Sequence, residues 1–166
     1  MENNFFIAPM AENVIIPSKN DEDAGYDLYA YLDDDVTEVE ILPHQTYKIG
    51  TRIAVALPEE YEIKLTDRSS VGGLGVLVAG GLIDSGYRGE IAVQLTNTSY
   101  KSFIISKNVD RVMITTDTVY YPYSKAITQM CLHKVHNELK KKVVSYDELV
   151  QVPSIRGVGG FGSSGK

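Results

Sequence analysis

Apolar residues in this chain recur at every second position, and that period decides what it can fold into. In TYKIGTRIAVALP, the residues Tyr47, Ile49, Thr51, Ile53, Val55 and Leu57 fall on one face. Ile91, Val93 and Leu95 do so in EIAVQLTN, and Tyr61, Ile63 and Leu65 in YEIKL. Side chains alternate across a strand, so these runs predict strands with one face turned to a core. They are short and broken by Pro, Gly, Asn and Asp, which is the pattern of a sandwich or barrel. SKNDEDAGYD and YLDDDVTE read as acidic connections. Only a short helix has room, around SSVGGLG or later in VHNELKKKV. No repeat recurs at a fixed period. The expectation is one all-β domain over residues 1–155, followed by a flexible glycine-rich tail over 156–166.

Bulk properties exclude several functions. With 166 residues the chain can bury a single core. Its hydrophobic content of 43% and charged content of 23% are those of a globular body. A formal net charge of −6 argues against holding nucleic acid or an anionic membrane through a basic field. A few local cations can still bind a small anion. Cys131 is the single cysteine, so no intrachain disulfide forms, and the apolar run around Met130 and Leu132 predicts a buried, inert thiol. No apolar run is long enough to span a bilayer. The start MENNFFIAPM lacks a basic n-region and a long h-region, so a cytoplasmic protein is expected.

Four segments carry side chains suited to chemistry. In GLIDSGYRGE, Gly81 to Glu90, glycines bracket Asp84 and Tyr87 in a tight turn between apolar strands. Such a stretch is a β-turn first. It can also be a pocket in which backbone groups read a flat ligand edge, Asp84 acts as a base and Tyr87 packs on a ring. In AGYDLYA, Asp27 sits among strand residues, as a solvated edge or as a metal-facing carboxylate. In DRSS, Arg68, Ser69 and Ser70 offer a guanidinium and two hydroxyls to phosphate oxygens, or the serines cap a helix. The histidines His133 and His136 form H-x-x-H without the glutamate of a zinc-protease helix, and are not assigned a metal; His44 is expected on the surface.

The last segment, RGVGGFGSSGK, is too rich in glycine to pack as a core. Glycines free backbone amides to approach an anion closely. Arg156 can fork onto a terminal phosphate, Phe161 can stack on a base, and Gly162, Ser163 and Ser164 can complete the grip. A plain linker needs neither the cation nor the ring.

Taken in this order, AGYDLYA, DRSS, GLIDSGYRGE and RGVGGFGSSGK resemble the first, second, third and fifth motifs of the trimeric dUTP pyrophosphatase (dUTPase) family. The last two are near-verbatim matches, and the likeness runs from about Phe5 to Lys166. It implies a dUTPase-like jelly-roll barrel, a homotrimer with active sites shared between subunits, and hydrolysis of dUTP to dUMP and pyrophosphate. That activity limits uracil incorporation into DNA and supplies dUMP for thymidylate synthesis. Carried over residue by residue, Asp84 deprotonates the attacking water and Asp27 holds Mg²⁺ through a coordinated water. Arg68, Ser69 and Ser70 position the phosphates. Tyr87 lies on the deoxyribose and excludes a 2′-hydroxyl. The backbone of Ala79, Gly80, Gly81, Leu82 and Ile83 reads uracil. Phe161 and Gly162 cover the base, and Arg156, Ser163 and Ser164 hold the γ-phosphate.

The fourth motif departs from the family pattern. SKAITQM keeps a glutamine, Gln129, but has Lys125 and Ala126 where Asp and Arg are expected. NVDRVMI keeps Asp110 and Arg111 and loses the glutamine. Gln129 is preferred, because its distance to Arg156 suits the family length. That choice makes Lys107 to Ser124 an insertion, with the Val, Ile, Thr and Tyr content of an extra hairpin, read as a loop decorating the barrel. A comparable insertion in some phage-encoded members can bind bacterial regulatory proteins, which implies a possible partner of that kind. Competing readings are a dCTP deaminase-like enzyme of the same fold and a dUTP-binding sensor with little turnover.

Overall fold

The period-two segments become strands, and the breakers become turns. The computed structural model describes residues 4–157, and the chain divides into two compact units, Met1–Val135 and His136–Lys166. The first unit runs β1 (Phe6–Pro9), β2 (Gly25–Leu28), β3 (Glu38–Ile41), β4 (Thr46–Gly50), β5 (Ile53–Ala56), β6 (Tyr61–Thr66), α1 (Ser69–Gly72), β7 (Val76–Ala79), β8 (Leu82–Ile83), β9 (Ala92–Asn97), β10 (Ser102–Ser106), β11 (Met113–Ile114), β12 (Thr118–Pro122) and β13 (Thr128–Lys134). The second carries α2 (Tyr146–Val150). The architecture is all-β, as expected.

The strands form sheets ordered β1-β5, β11-β12-β10-β3, β2-β13-β6-β8 and β4-β9-β7. Their inward faces meet in one core, whose fully buried members include Leu28, Ile41, Ile53, Ile63, Ile91, Leu95, Phe103, Ile105, Tyr121, Ile127 and Met130. Leu95→Ala or Ile63→Ala would cost about 2–5 kcal/mol by the usual cavity penalty.

Several expectations need correction. TYKIGTRIAVALP is not one continuous face. It breaks at Thr51–Arg52, where Arg52 takes φ 52°, and its halves enter different sheets. The leading Tyr47 is exposed while Ile49 to Leu57 keep the alternation, and Tyr61 is likewise exposed at a strand start. No helix forms in VHNELKKKV. The helix begins at Tyr146, where Ser145 and Glu148 form a capping box: the Glu148 amide donates to Ser145 Oγ (3.2 Å) and the Ser145 amide to Glu148 Oε2 (2.9 Å). The S-Y-D-E pattern at Ser145 to Glu148 is its sequence signal.

The segment Lys107 to Ser124 contains the expected hairpin, β11–β12, but it is not a loop laid over the barrel. β12 pairs in parallel with β10, and its Val119 and Tyr121 are core residues. Cys131 is half-buried rather than buried, and approaches the Thr66 hydroxyl at 3.6 Å.

Candidate active site

Three of the four segments singled out from sequence lie on, or directly after, strands of one sheet, β2-β13-β6-β8. Register does the assembly. Gln129 on β13 stands opposite Asp27 on β2 and opposite Thr66 on β6. Its side-chain amide therefore points where the Asp27 carboxylate points, and Gln129 Nε2 donates to Asp27 Oδ1 (3.3 Å). Two residues beyond Thr66, Arg68 turns back over the same rung. One guanidinium nitrogen donates to Asp27 Oδ2 (3.1 Å) and the other to the Ala126 carbonyl (3.2 Å). Asp27 and Arg68 are each 27% exposed, so the pair is open to a ligand on one side. Gln129 thus reaches the cluster, whereas Asp110 and Arg111 lie exposed in the turn leading to β11.

Ala126, where the family pattern has arginine, is buried and takes part through its backbone. Its carbonyl accepts from Arg68 and from the Tyr121 hydroxyl (2.9 Å). Lys125 is exposed. Beside the rung, burial first and then the Asp27 carboxylate push the Tyr29 phenol above its ordinary value, so it stays a neutral hydrogen-bonding group.

Neither serine of DRSS caps α1. The N-cap is Arg68, no side chain caps the helix, and Ser69 and Ser70 are exposed. Among the described residues no hydrogen bond engages their hydroxyls. Asp67 instead accepts the Val78 amide (2.6 Å), tying the loop to β7.

The second centre is the hairpin. Gly80 has φ +62°, a turn conformation that strains any residue with a Cβ. Gly81 packs so tightly on β6 that a Cβ there would lie 2.8 Å from the Leu65 carbonyl oxygen. β8 is the edge of its sheet, so one side of its backbone donors and acceptors faces outward. Beyond it, the Tyr87 amide closes a turn on the Asp84 carbonyl (3.1 Å), and the Tyr87 hydroxyl donates to the Glu90 carbonyl (3.0 Å). Asp84 and Tyr87 are exposed and share with Lys48, Leu82, Ile83 and Glu90 a cavity of ≈ 250 Å³. A larger cavity of ≈ 500 Å³, against Phe5, Tyr26, Tyr61 and Leu132, lies away from both centres and brings only Glu60 among carboxylates.

The two centres do not meet within one chain. Ile83 is level with Ile63, so Asp84 lies near the level of Glu62, while the Asp27 rung is level with Thr66. Four residues of strand separate them by about 13 Å, before the strands between are crossed. That is too far for a base and a cation cluster to act on one phosphorus.

Among the described residues no three His, Cys, Asp or Glu side chains converge as a metal cage. Asp27 is a lone, partly exposed carboxylate. This donor set fits Mg²⁺, which keeps most of its water and is commonly shared between one or two carboxylates and substrate phosphates. His133 and His136 are exposed. Arg156 falls in the second unit, and Phe161, Gly162, Ser163 and Ser164 lie outside the described residues. Lys48 and Glu90, which line the hairpin cavity, were not singled out as site residues from sequence, because nothing local links them to Asp84.

Comparison with known proteins follows this geometry. The dUTPase family model matches residues 11–114. A deoxyuridine 5′-triphosphate nucleotidohydrolase of Mycolicibacterium vanbaalenii is 32% identical over 99% of this chain and 97% of its own length. The dUTPase of Staphylococcus bacteriophage 80alpha, solved with dUpNHpp and described as controlling transfer of virulence genes by a G protein-like mechanism, superposes with a TM-score of 0.74. It is 24% identical and covers 99% of both chains. A mutant dUTPase of phage phi11 of S. aureus, solved with attention to a structural Mg(II) ion, gives 0.65 at 23% identity, covering 87% of this chain and 99% of its own. The fold shared with these structures is the dUTPase-like jelly roll.

Proposed function

This chain belongs to the dUTPase family, and from that premise we propose that it hydrolyses dUTP to dUMP and pyrophosphate in a homotrimer with shared sites. The observation that carries the reading is the Asp27–Arg68–Gln129 cluster, with two uncapped serine hydroxyls beside it and the Asp84 turn held at a distance. One subunit supplies the cluster, a neighbour supplies the hairpin, and the separation of the two centres supports that division. The domain is residues 1–155, and the tail from Arg156 caps the substrate of another subunit.

Uracil is read by the backbone of Ala79 to Ile83, where the outward edge of β8 offers amide donors and acceptors to a flat ring. The turn's tightness rejects the thymine methyl. Tyr87, with its hydroxyl engaged on Glu90, lays its ring on the deoxyribose and leaves no room for a 2′-hydroxyl. Asp84 accepts a proton from the water that attacks the α-phosphorus, and contacts the 3′-hydroxyl. The bond from the α-phosphorus to its bridging oxygen breaks, and pyrophosphate departs with that oxygen. Arg68, Ser69 and Ser70 hold the phosphates. Gln129 orients Asp27 and hydrogen-bonds a phosphate or a metal-bound water. Asp27 would hold Mg²⁺, and the ion would supply positive charge against the triphosphate. From the tail, Phe161 stacks on uracil, Gly162 allows close approach, and Arg156, Ser163 and Ser164 grip the γ-phosphate. The cations are local, which is how a chain of net charge −6 binds a tetra-anion. Among the described residues no helix is long and apolar enough to cross a membrane, and we place the enzyme in the cytoplasm.

The test is product analysis with dUTP, dTTP, dCTP and UTP in Mg²⁺ buffer, with Asp84→Asn as control. Conversion of dUTP alone to dUMP, lost in the variant, supports the assignment. Ammonia release from dCTP would replace it by a deaminase, and tight dUTP binding without turnover by a sensor.

One observation favours an additional role. The β11–β12 hairpin adds an outer strand whose Met113 and Ile114 are exposed, a ready surface for a bacterial regulatory protein. Recovery of the same host protein by the full chain and by one carrying Met113→Asp and Ile114→Asp, which leave the core strand β12 intact, would remove this role.

A further inference from the structure

Glu90, two residues before β9, makes contacts that its place in the turn does not require. Its Oε1 accepts the backbone amide of Arg52 (2.8 Å), and its Oε2 lies 3.7 Å from the Arg52 guanidinium. Arg52 is one of the few non-glycine residues held at positive φ, 52°, a conformation that must be stabilised by its surroundings. Gly50 completes the socket: a Cβ there would lie 2.7 Å from Glu90 Oε1. The next residue is fastened to the same corner, since Thr51 Oγ1 donates to the Ile91 carbonyl (2.6 Å) and the Ile91 amide to the Ile53 carbonyl (2.8 Å).

From this anchor the linkage runs outward. The Glu90 carbonyl receives the Tyr87 hydroxyl (3.0 Å). Gly89 leaves room for the Tyr87 ring, whose hydroxyl would lie 2.5 Å from a Cβ there. The Tyr87 amide then closes the turn on the Asp84 carbonyl (3.1 Å). The other limb of the hairpin rests on a two-residue pairing with β6. We propose that Glu90, locked on Arg52 in the Gly50 socket, is a positioning residue that sets where Tyr87 and Asp84 stand, and so governs sugar discrimination as well as rate. The inference rests on the assignment of Asp84 and Tyr87 to the dUTPase reaction, and it adds a residue whose carboxylate is engaged on Arg52.

The test compares Glu90→Ala, Glu90→Gln and Arg52→Ala with the wild-type trimer. Removing the carboxylate loses a charged hydrogen bond and an ion pair, so kcat/KM for dUTP should fall about 30-fold in Glu90→Ala. The ratio of dUTP to UTP turnover should fall with it, because a loosened Tyr87 no longer excludes the 2′-hydroxyl. Glu90→Gln keeps an acceptor for the Arg52 amide and should recover most of both quantities. Arg52→Ala keeps its own amide and should lose less than Glu90→Ala. Hydrogen exchange over residues 82–91, read without substrate, should quicken in Glu90→Ala and return in Glu90→Gln. A folded Glu90→Ala with wild-type sugar discrimination and unchanged exchange would overturn the proposal, while an inactive Asp84→Asn in the same series keeps the catalytic reading intact. Failure of the wild type to turn over dUTP would sink that reading, and the exchange result would still decide whether Glu90 holds the turn.

Discussion

The rung that joins Asp27, Gln129 and Arg68 and the turn that carries Asp84 and Tyr87 are built by different means. The rung is a product of strand register. Three strands paired over several residues bring Asp27, Gln129 and Thr66 level, and a one-residue slip would send Gln129 to the other face. The turn has a two-residue strand on one side and side-chain anchors on the other. A register-built site is stiff and tolerates little change in its strands. A turn-built site can present backbone groups to a flat base, and depends on glycines and on contacts made elsewhere.

The largest expected effect separates chemistry from scaffold. Asp84 is exposed and lies in a turn, so Asp84→Asn should leave the melting temperature unchanged and cut kcat roughly 10³-fold, the usual worth of a general base. Arg68→Ala should cost about 10²-fold in kcat/KM, because it removes a phosphate ligand and strips Asp27 of its cationic partner, leaving only Gln129. Arg68→Lys should not restore it, since only a fork reaches both Asp27 and the Ala126 carbonyl. Mixing these two inactive proteins sharpens the comparison. If the turn and the rung that form one site come from different subunits, random trimers should regain about one quarter of wild-type activity. No recovery after verified subunit exchange would place both centres in one chain.

A smaller effect is expected at the junction of the two regions. In Gly81→Ala the new Cβ would press on the Leu65 carbonyl and lift β8 from β6, so we expect about 1–3 kcal/mol of lost stability in urea unfolding and weaker dUTP binding. The smallest concerns the second unit. The Ser145 amide, then its hydroxyl, hold the Glu148 carboxyl below its ordinary value. A depressed carboxyl stabilises α2 above the unfolded pKa and loses that contribution as pH falls through the folded one. The protection of amides 145–151 against exchange, relative to the unfolded chain, should therefore fall as pH drops below the ordinary glutamate range, and Glu148→Gln should flatten that dependence.

Much of the body was legible because burial has a period. Ile91, Val93 and Leu95, or Ile63 and Leu65, announce their faces without help from distant residues. The helix at Tyr146 was equally legible, in the capping pattern of Ser145 and Glu148 rather than in the lysines before it. The break at Arg52 was not, since no residue type marks it as one that must adopt positive φ; the Glu90 carboxylate that stabilises it comes from 38 residues away. The hairpin at Lys107–Ser124 could be read as strands, but not its parallel partner β10, because pairing depends on which strand edge the fold brings alongside.

Alone, then, the sequence determined the all-β class, the family and the side chains from which a site could be made, because alternation, turn residues and motif chemistry are local. Tertiary structure decided that Gln129 rather than Asp110 and Arg111 joins Asp27, that the Ala126 backbone meets Arg68 where the family pattern has a side chain, and that Asp84 stands well away from all of them. Those outcomes depend on strand register and on contacts between residues distant in the chain, and a local pattern carries no record of either.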